Sequence, residues 1–175
     1  LLEFILMKVK QKKAKKILDF GCGDGRLVKE LINENESEIY GVDISKKALT
    51  FARLFCKDEN NKIFFEDINN LNQSDFDFIV ATEVLEHIHE DELQSALKDI
   101  SGIIKNDGHF LVTVPSVVRQ PMPKKHYRHY TLNLLEDHIR DFFVIEEVFY
   151  LNKKSFFSNL IRRFLHNKIF TLNAS

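Results

Sequence analysis

The chain has 175 residues, of which 44% are hydrophobic, with sixteen phenylalanines. This length and composition provide one substantial core and exclude a second cofactor-binding domain, so a single domain over 1–175 is predicted. The net charge is −1, and the two cysteines lie in no metal-like spacing, which argues against a disulfide framework and favours a reducing cytoplasm. No apolar run reaches the ~18 residues of a membrane-spanning helix. The missing initiator Met predicts a chain truncated at its N-terminus.

Short apolar runs alternate along the chain with longer segments of helical periodicity, a pattern typical of βαβ units. Ser45 and Thr131 have the residue types that cap helix N-termini. Residues 168–172 resemble part of a seventh strand, which the end of the chain would leave incomplete. The sequence therefore predicts an α/β fold with a doubly wound, mostly parallel sheet of six or seven strands and helices on both faces. Strands are predicted near 16–20, 38–42, 62–65, 76–81, 108–114 and 142–150, and helices near 25–34, 45–57, 90–103 and 131–140.

The first predicted strand ends in three closely spaced glycines, Gly21, Gly23 and Gly25. Glycine permits a sharp turn and lets a ligand approach bare backbone where a Cβ would collide. The dinucleotide fingerprint requires a glycine where this chain has Arg26, and an acidic residue, Asp19, precedes the turn. The pattern therefore favours a nucleoside-bearing ligand without a pyrophosphate over NAD.

A second acidic residue follows at the distance expected of a ribose-binding carboxylate. Asp43 comes directly after the predicted strand 38–42 and lies 20 residues beyond Gly23. At about this offset, a carboxylate accepts hydrogen bonds from a ribose diol in nucleotide-binding α/β folds. A glycine turn alone is also compatible with a packing role, and Asp43 makes that alternative less favourable.

In these residues and in three further stretches, the chain resembles the class I S-adenosylmethionine-dependent methyltransferases, in the order of the family's motifs. The resemblance implies a Rossmann-like methyltransferase fold and S-adenosylmethionine as cofactor. Residues 106–108 read Asn-Asp-Gly where Pro-Gly-Gly is usual, a change that a turn tolerates. The matching stretches are Asp19-Phe20-Gly21-Cys22-Gly23-Asp24-Gly25, Gly41-Val42-Asp43-Ile44-Ser45, Glu66-Asp67-Ile68, residues 77–87 and residues 104–115.

The resemblance assigns these strand ends to parts of the cofactor. It implies that the glycine turn contacts the methionine part, and that Asp43 contacts the ribose. It places the adenine beside Asp67 and Ile68, and the methionine amine beside Thr82 and Glu83. The predicted cofactor-binding residues are Asp19, Gly21, Cys22, Gly23, Asp43, Ile44, Asp67, Ile68, Thr82 and Glu83.

Methyl transfer from a sulfonium requires alignment of the reactants, and it requires a base where the acceptor carries a proton. Candidate bases occur in Glu83-x-x-Glu86-His87 and in the later segment that contains His126 and His129. His87, His126 and His129 are therefore the predicted catalytic residues. For His87, packing beside the cofactor with a hydrogen bond to the backbone is an equal alternative.

Two carboxylates and an imidazole at this spacing, with a later histidine, also have the chemistry of a divalent-cation site. Small-RNA 2′-O-methyltransferases, which the chain resembles more weakly, use a similar pattern to hold Mg²⁺. The later segment here is closer to the His-x-Arg-x-Tyr-Thr loop of small-molecule methyltransferases. No metal is therefore predicted, and metal-dependent RNA ribose methylation remains an alternative.

The segment 115–130 is predicted to contact the acceptor, because three prolines disfavour regular structure and its basic side chains suit an anionic group. A solvated connector is the alternative. Residues 155–166 show helical spacing of apolar pairs around Arg162 and Arg163, which predicts a helix over the acceptor side or, alternatively, peripheral membrane contact. The basic side chains on which the prediction for the segment 115–130 depends are Lys124, Lys125, His126, Arg128 and His129.

The sequence thus predicts a cytoplasmic methyltransferase that acts on a small-molecule or lipid-like acceptor. A nucleic acid is a less favoured partner. Besides RNA ribose methylation, a cofactor-binding scaffold without activity is the remaining alternative.

Overall fold

The computed structural model describes residues 1–34, 36–58, 63–119, 121–152 and 166–174, with only the backbone described from 151 onward. The helices are α1 (Leu2–Gln11), α2 (Arg26–Glu34), α3 (Lys46–Cys56), α4 (Glu90–Ile103) and α5 (Leu132–Ile139). The strands are β1 (Lys16–Phe20), β2 (Glu38–Val42), β3 (Phe64–Phe65), β4 (Phe76–Thr82), β5 (Ile104–Pro115), β6 (Phe143–Asn152) and β7 (His166–Ala174). Short 3₁₀ turns span Ile68–Asn70 and Leu85–His87.

The described strands form one sheet in the order β3-β2-β1-β4-β5-β7-β6. The five strands from β3 to β5 are parallel, and β7 runs antiparallel between β5 and β6. The strand order reverses between β1 and β4, so the carboxyl ends of the parallel strands meet at one ligand-binding edge. The predicted doubly wound, mostly parallel sheet is confirmed, and residues 168–172 are part of a longer seventh strand.

The sheet has a hydrophobic core on each face because its central strands are buried on both sides. Helices α1, α2 and α3 cover one face, where Phe78 and Val80 of β4 point. Helices α4 and α5 cover the other face, where Ile79 and Ala81 point. Within the described residues, no helix is both long and apolar enough to cross a membrane.

The predicted helix caps are present. Ser45 Oγ accepts a hydrogen bond from Ala48 N at 3.2 Å, and Thr131 Oγ1 accepts from Leu134 N at 3.1 Å. Helix α1 was not predicted, although Ile5 and Val9 bury it against the sheet. The helix predicted over 155–166 falls almost entirely outside the described residues.

Candidate active site

The glycine turn between β1 and α2 has a backbone that glycine favours. Gly21 has φ +79° and Gly23 has φ +54°. A Cβ on Gly21 would lie 2.4 Å from Cγ2 of Val84, whereas a Cβ on Gly23 would have nothing within 4 Å. The first glycine therefore permits close packing of β1 against the chain after β4, and the second leaves open space above the edge of the sheet.

Asp43 connects the ends of β1 and β2. Its Oδ2 accepts from Gly23 N at 2.8 Å, and its Oδ1 accepts from Ser45 N at 2.8 Å. Each carboxylate oxygen can accept more than one hydrogen bond, so both retain capacity for a diol. The carboxylate is thus held in place by backbone N–H groups before any ligand arrives.

Asp19 lies below the glycine turn and is only 2% exposed. Burial raises the pKa of Asp19 to about 7, and the negative charge of Asp43 acts in the same direction. Within the described part of the chain, neither carboxylate forms a salt bridge with a lysine or arginine. The site is therefore electrostatically suited to a cationic ligand.

Cys22 contributes to the internal bonding of the turn. Its N–H donates to Val42 O at 3.0 Å, and its carbonyl accepts from Gly25 N at 3.0 Å. Its side chain is buried, and burial raises the pKa of the thiol. The side chain of Cys22 thus faces the core, and its role in the site is to shape the backbone.

The predicted adenine side has one open apolar residue and one capped turn. Ile44 is 93% exposed, although it is apolar. Asp67 Oδ1 accepts from Asn69 N at 2.8 Å and starts the 3₁₀ turn that contains Ile68, whose side chain is buried. Ile44 therefore provides the uncovered apolar surface at this end of the site.

The end of β4 carries Glu83 in a left-handed conformation, with φ +54°. Its N–H donates to Thr113 O at 3.0 Å, and its Oε2 accepts from Arg119 Nη1 at 2.9 Å. Burial raises the pKa of Glu83 above its usual value, and Arg119 offsets part of that shift. The adjacent Thr82 Oγ1 is buried without a hydrogen-bond partner. Sequence reasoning missed Arg119, because nothing local connects it to Glu83.

Glu86 is fully buried in the turn after β4, and neither carboxylate oxygen has a hydrogen-bond partner. Burial raises the pKa of Glu86 to about 8, and the charge of Glu83 adds to that shift. Such an unpaired buried group calls for an explanation, such as a catalytic role, a water or an ion.

The three predicted catalytic histidines lie together above this turn. His87 Nδ1 is 3.0 Å from Lys125 O, and His126 Nδ1 is 3.0 Å from His129 Nε2. The rings of His87 and His126 meet edge to face, with centroids 4.6 Å apart. Burial lowers the pKa of His126 and of His129, which favours the neutral imidazoles.

Potential ligand atoms of Glu86, His87 and His126 all lie within 4.8 Å of one another. The residue types and their separation are compatible with a divalent cation. Among the described residues, these side chains are the one group of three or more potential metal ligands whose ligand atoms lie this close together.

Comparison with known proteins identifies the family. Residues 1–149 match the model of a family described as a methyltransferase domain, so the chain belongs to that family. It is 31% identical over 113 residues to the ubiquinone biosynthesis O-methyltransferase of Vibrio atlanticus (strain LGP32). That match covers 62% of this chain and 46% of the relative, so the chain spans about half the length of the curated relatives it matches.

Solved structures show the same fold. The PH0226 protein from Pyrococcus horikoshii OT3 superposes with a TM-score of 0.75 at 22% identity, over 99% of this chain and 88% of that chain. An S-adenosylmethionine-dependent methyltransferase from Clostridium acetobutylicum ATCC 824 superposes with a TM-score of 0.74 at 18% identity, over 98% and 89% of the two chains.

Proposed function

We propose that this chain transfers a methyl group from S-adenosylmethionine to a small-molecule or lipid-like acceptor. The observation that carries the proposal is the edge formed by the glycine turn, Asp19 and Asp43. Open space lies above Gly23, Asp43 bonds to the N–H of Gly23, Asp19 is buried below the turn, and neither carboxylate has a paired cation among the described residues. Membership of the methyltransferase-domain family supports the reaction, and the name of the ubiquinone-pathway relatives supports the acceptor class.

The residues at this edge fit the cofactor. Asp43 would accept from the ribose hydroxyls, the uncovered side chain of Ile44 would pack against the adenine, and Asp67 and Ile68 would meet its edge. Glu83, Thr82 and the glycine turn, including the backbone of Cys22, would surround the methionine part. S-adenosylmethionine supplies a methyl group already activated on a sulfonium, so the protein has only to align it and to receive a proton.

The histidine cluster is proposed to receive the acceptor's proton. A backbone carbonyl can only accept, so His87 Nδ1 must donate to Lys125 O, which leaves Nε2 with a lone pair. Neutral His126 and His129 are also in the protonation state that a base requires. We infer that His87 Nε2 is the proton acceptor, and that His126 and His129 complete this wall.

The acceptor is proposed to lie against this cluster and the rest of the segment 115–130, to which His126 and His129 belong. That segment begins at the carboxyl end of β5, where Ser116 pairs with Tyr130. The end of β6 at Asn152 and the start of β7 at His166 also lie at this edge. His166 pairs with Asn152, and Asn167 pairs with Pro115. The proposed peripheral membrane contact of the basic segment concerns residues outside those described.

A cytoplasmic location is also part of the proposal. It is supported by the two cysteines, Cys22 and Cys56, which are both free and buried.

Isothermal titration calorimetry tests the cofactor assignment. The protein should bind S-adenosylhomocysteine and should not bind NAD, since Arg26 replaces the third glycine of the dinucleotide fingerprint. His126→Ala should leave the affinity for S-adenosylhomocysteine within about threefold, because a group that meets only the acceptor contributes nothing to binding of the free cofactor. Binding of NAD, or loss of cofactor binding in His126→Ala, would contradict the assignment.

Metal-dependent methylation of an RNA ribose is the second candidate function, and the cluster of Glu86, His87 and His126 favours it. Titration of Mg²⁺ and Mn²⁺ into the protein saturated with S-adenosylhomocysteine separates the two candidates. The small-molecule proposal predicts no heat of cation binding and no effect of chelators. Saturable binding that Glu86→Gln abolishes would favour the RNA candidate instead.

A further inference from the structure

The 3₁₀ turn after β4 has its carbonyl groups bonded by a distant segment of the chain. Arg128 Nη1 donates to Leu85 O at 2.9 Å and to Ile88 O at 2.8 Å. Tyr127 N donates to Glu86 O at 2.8 Å. The backbone that carries Glu86 and His87 is therefore held from outside the turn.

Arg128 is built into this contact. Its side chain is only 10% exposed, and its Nη2 forms an ion pair with Glu90 Oε2 at 2.8 Å, in the first turn of α4. The planar guanidinium thus joins both ends of the turn to the start of α4. Its position in a basic segment suggested contact with an anionic acceptor, but these contacts direct both Nη1 and Nη2 toward groups of the protein itself.

The same segment provides the partner of His87. Lys125 lies three residues before Arg128, and its carbonyl accepts a hydrogen bond from His87 Nδ1 at 3.0 Å. Because one ring nitrogen's hydrogen bond fixes which nitrogen carries the proton, the position of this segment sets the tautomer of His87.

We propose that Arg128 is a positioning residue that holds the Leu85–Ile88 backbone against the 125–130 segment and thereby keeps His87 in the Nδ1–H tautomer. Without the guanidinium, the carbonyl groups of Leu85 and Ile88 lose their hydrogen bonds to Arg128, and the two segments separate. His87 then loses the Lys125 carbonyl and reverts to the Nε2–H form that an unconstrained imidazole prefers. If the proposed function is right, this change removes the lone pair from the atom that faces the acceptor.

Lysine cannot fully replace this arginine. An ammonium is a compact point charge, whereas the guanidinium directs several N–H groups in one plane toward separate acceptors. Arg128→Lys keeps the charge beside Glu90 and should keep the protein folded. It should lose at least one of the two carbonyl contacts.

The tautomer of His87 can be measured by NMR of ¹⁵N-histidine-labelled protein at pH 8, without cofactor or acceptor. Wild type should show the Nδ1–H pattern of two-bond couplings. Arg128→Gln should convert His87 mainly to Nε2–H, and Arg128→Lys should give a mixture. The matched control is Arg140→Gln. It removes an arginine that lies directly after α5 with a 67% exposed side chain, and it should leave the tautomer of His87 unchanged.

If Arg128→Gln does not fold, Arg128→Lys and the wild type decide the question. Nε2–H in the wild type, or unchanged Nδ1–H in either folded variant, would overturn the proposal. A second measurement distinguishes its failure from failure of the proposed function. The affinity for S-adenosylhomocysteine should be the same in wild type and Arg128→Lys, and a wild type that does not bind this ligand refutes the methyltransferase assignment without affecting the tautomer.

Discussion

The ligand-binding edge has two halves that are constructed differently. We call the proposed cofactor site around the glycine turn and Asp43 the cofactor half, and the proposed acceptor wall around the three histidines the acceptor half. In the cofactor half, Asp43 bonds to Gly23, 20 residues away within one βαβ unit. In the acceptor half, Arg128 bonds to Leu85 over 43 residues, and Arg119 bonds to Glu83 of the cofactor half over 36 residues. The cofactor half is therefore formed by a local motif, and the acceptor half exists only once β4 and the chain after β5 have come together.

The electrostatics of the halves also differ. In the cofactor half, burial and the negative charge of Asp43 raise the pKa of Asp19. In the acceptor half, burial lowers the pKa of His126 and of His129, which favours the neutral imidazoles. The cofactor half is thus suited to attract a cation, and the acceptor half to exchange a proton. The following variants are designed to break or sharpen this contrast.

Gly21→Ala should have the largest effect, because Gly21 lies where the two halves touch. The new Cβ would meet Val84 at 2.4 Å, and the φ of +79° disfavours any side chain. A left-handed conformation costs about 1–2 kcal/mol and overpacking about 1–3 kcal/mol, so the free energy of unfolding should fall by about 2–5 kcal/mol. Urea denaturation measures this loss.

Gly102→Ala is the matched control for Gly21→Ala. It lies in α4, where a Cβ meets nothing within 4 Å, so the variant should gain about 0.4–1 kcal/mol. Val84→Ala combined with Gly21→Ala should recover part of the loss, since it removes the clash. Equal stability of Gly21→Ala and wild type would show that the halves do not meet at this glycine.

Asp43→Ala should affect the cofactor half alone. Hydrogen bonds to a charged group are worth about 1.5–3 kcal/mol, so the affinity for S-adenosylhomocysteine should fall about 10- to 150-fold in calorimetry. Asp141→Ala, at an exposed position away from the edge, serves as the control. An unchanged dissociation constant in Asp43→Ala would refute the ribose assignment.

Asp19→Asn should change how stability depends on pH. The pKa of Asp19 is about 7 in the folded protein against a usual value of 3.8, so from about pH 4 to pH 7 the folded protein binds a proton that the unfolded chain lacks. This contribution to the free energy of unfolding is lost as pH rises. Asparagine cannot ionise, so the stability of the variant relative to wild type should increase from pH 5 to pH 7.5, by up to about 1.4 kcal/mol per pH unit.

Urea denaturation at several pH values measures this difference for Asp19→Asn. Comparison of the variant with wild type cancels the opposing contribution of the buried histidines, whose pKa values are lowered. Asp141→Asn should show no such trend. A stability difference independent of pH in Asp19→Asn would mean that Asp19 is ionised in the folded protein throughout this range.

The smallest effects are expected from the helix caps, one in each half. Ser45→Ala and Thr131→Ala should each lower the free energy of unfolding by about 1 kcal/mol in urea denaturation. Ser45→Ala should also weaken binding of S-adenosylhomocysteine, because loss of the cap bond to Ala48 N loosens the backbone whose N–H donates to Asp43, whereas Thr131→Ala should not. Ser45→Asp and Thr131→Ser retain an acceptor and should remain near wild-type stability. Equal binding losses in both alanine variants would contradict the separation of the halves.

Local patterns made much of this molecule predictable. The strands at 16–20 and 38–42 were predicted with the bounds observed, because strands buried on both faces appear as continuous apolar runs between turn residues. The glycine turn and Asp43 were also recognisable, since their geometry depends on φ angles and hydrogen bonds within one βαβ unit.

Contacts between distant segments were not predictable from these patterns. Helix α1 was missed, although Lys8 is buried there and its Nζ lies 2.6 Å from Glu147 Oε2 on β6. Arg119 was missed and Arg128 appeared only as a charge in a basic segment, until the fold placed them against Glu83 and the turn after β4. The sequence by itself determined the sheet's central strands and the cofactor motif, whose interactions are local. The tertiary structure decided the acceptor wall, because a side chain's partner across the sheet depends on how the strands pair.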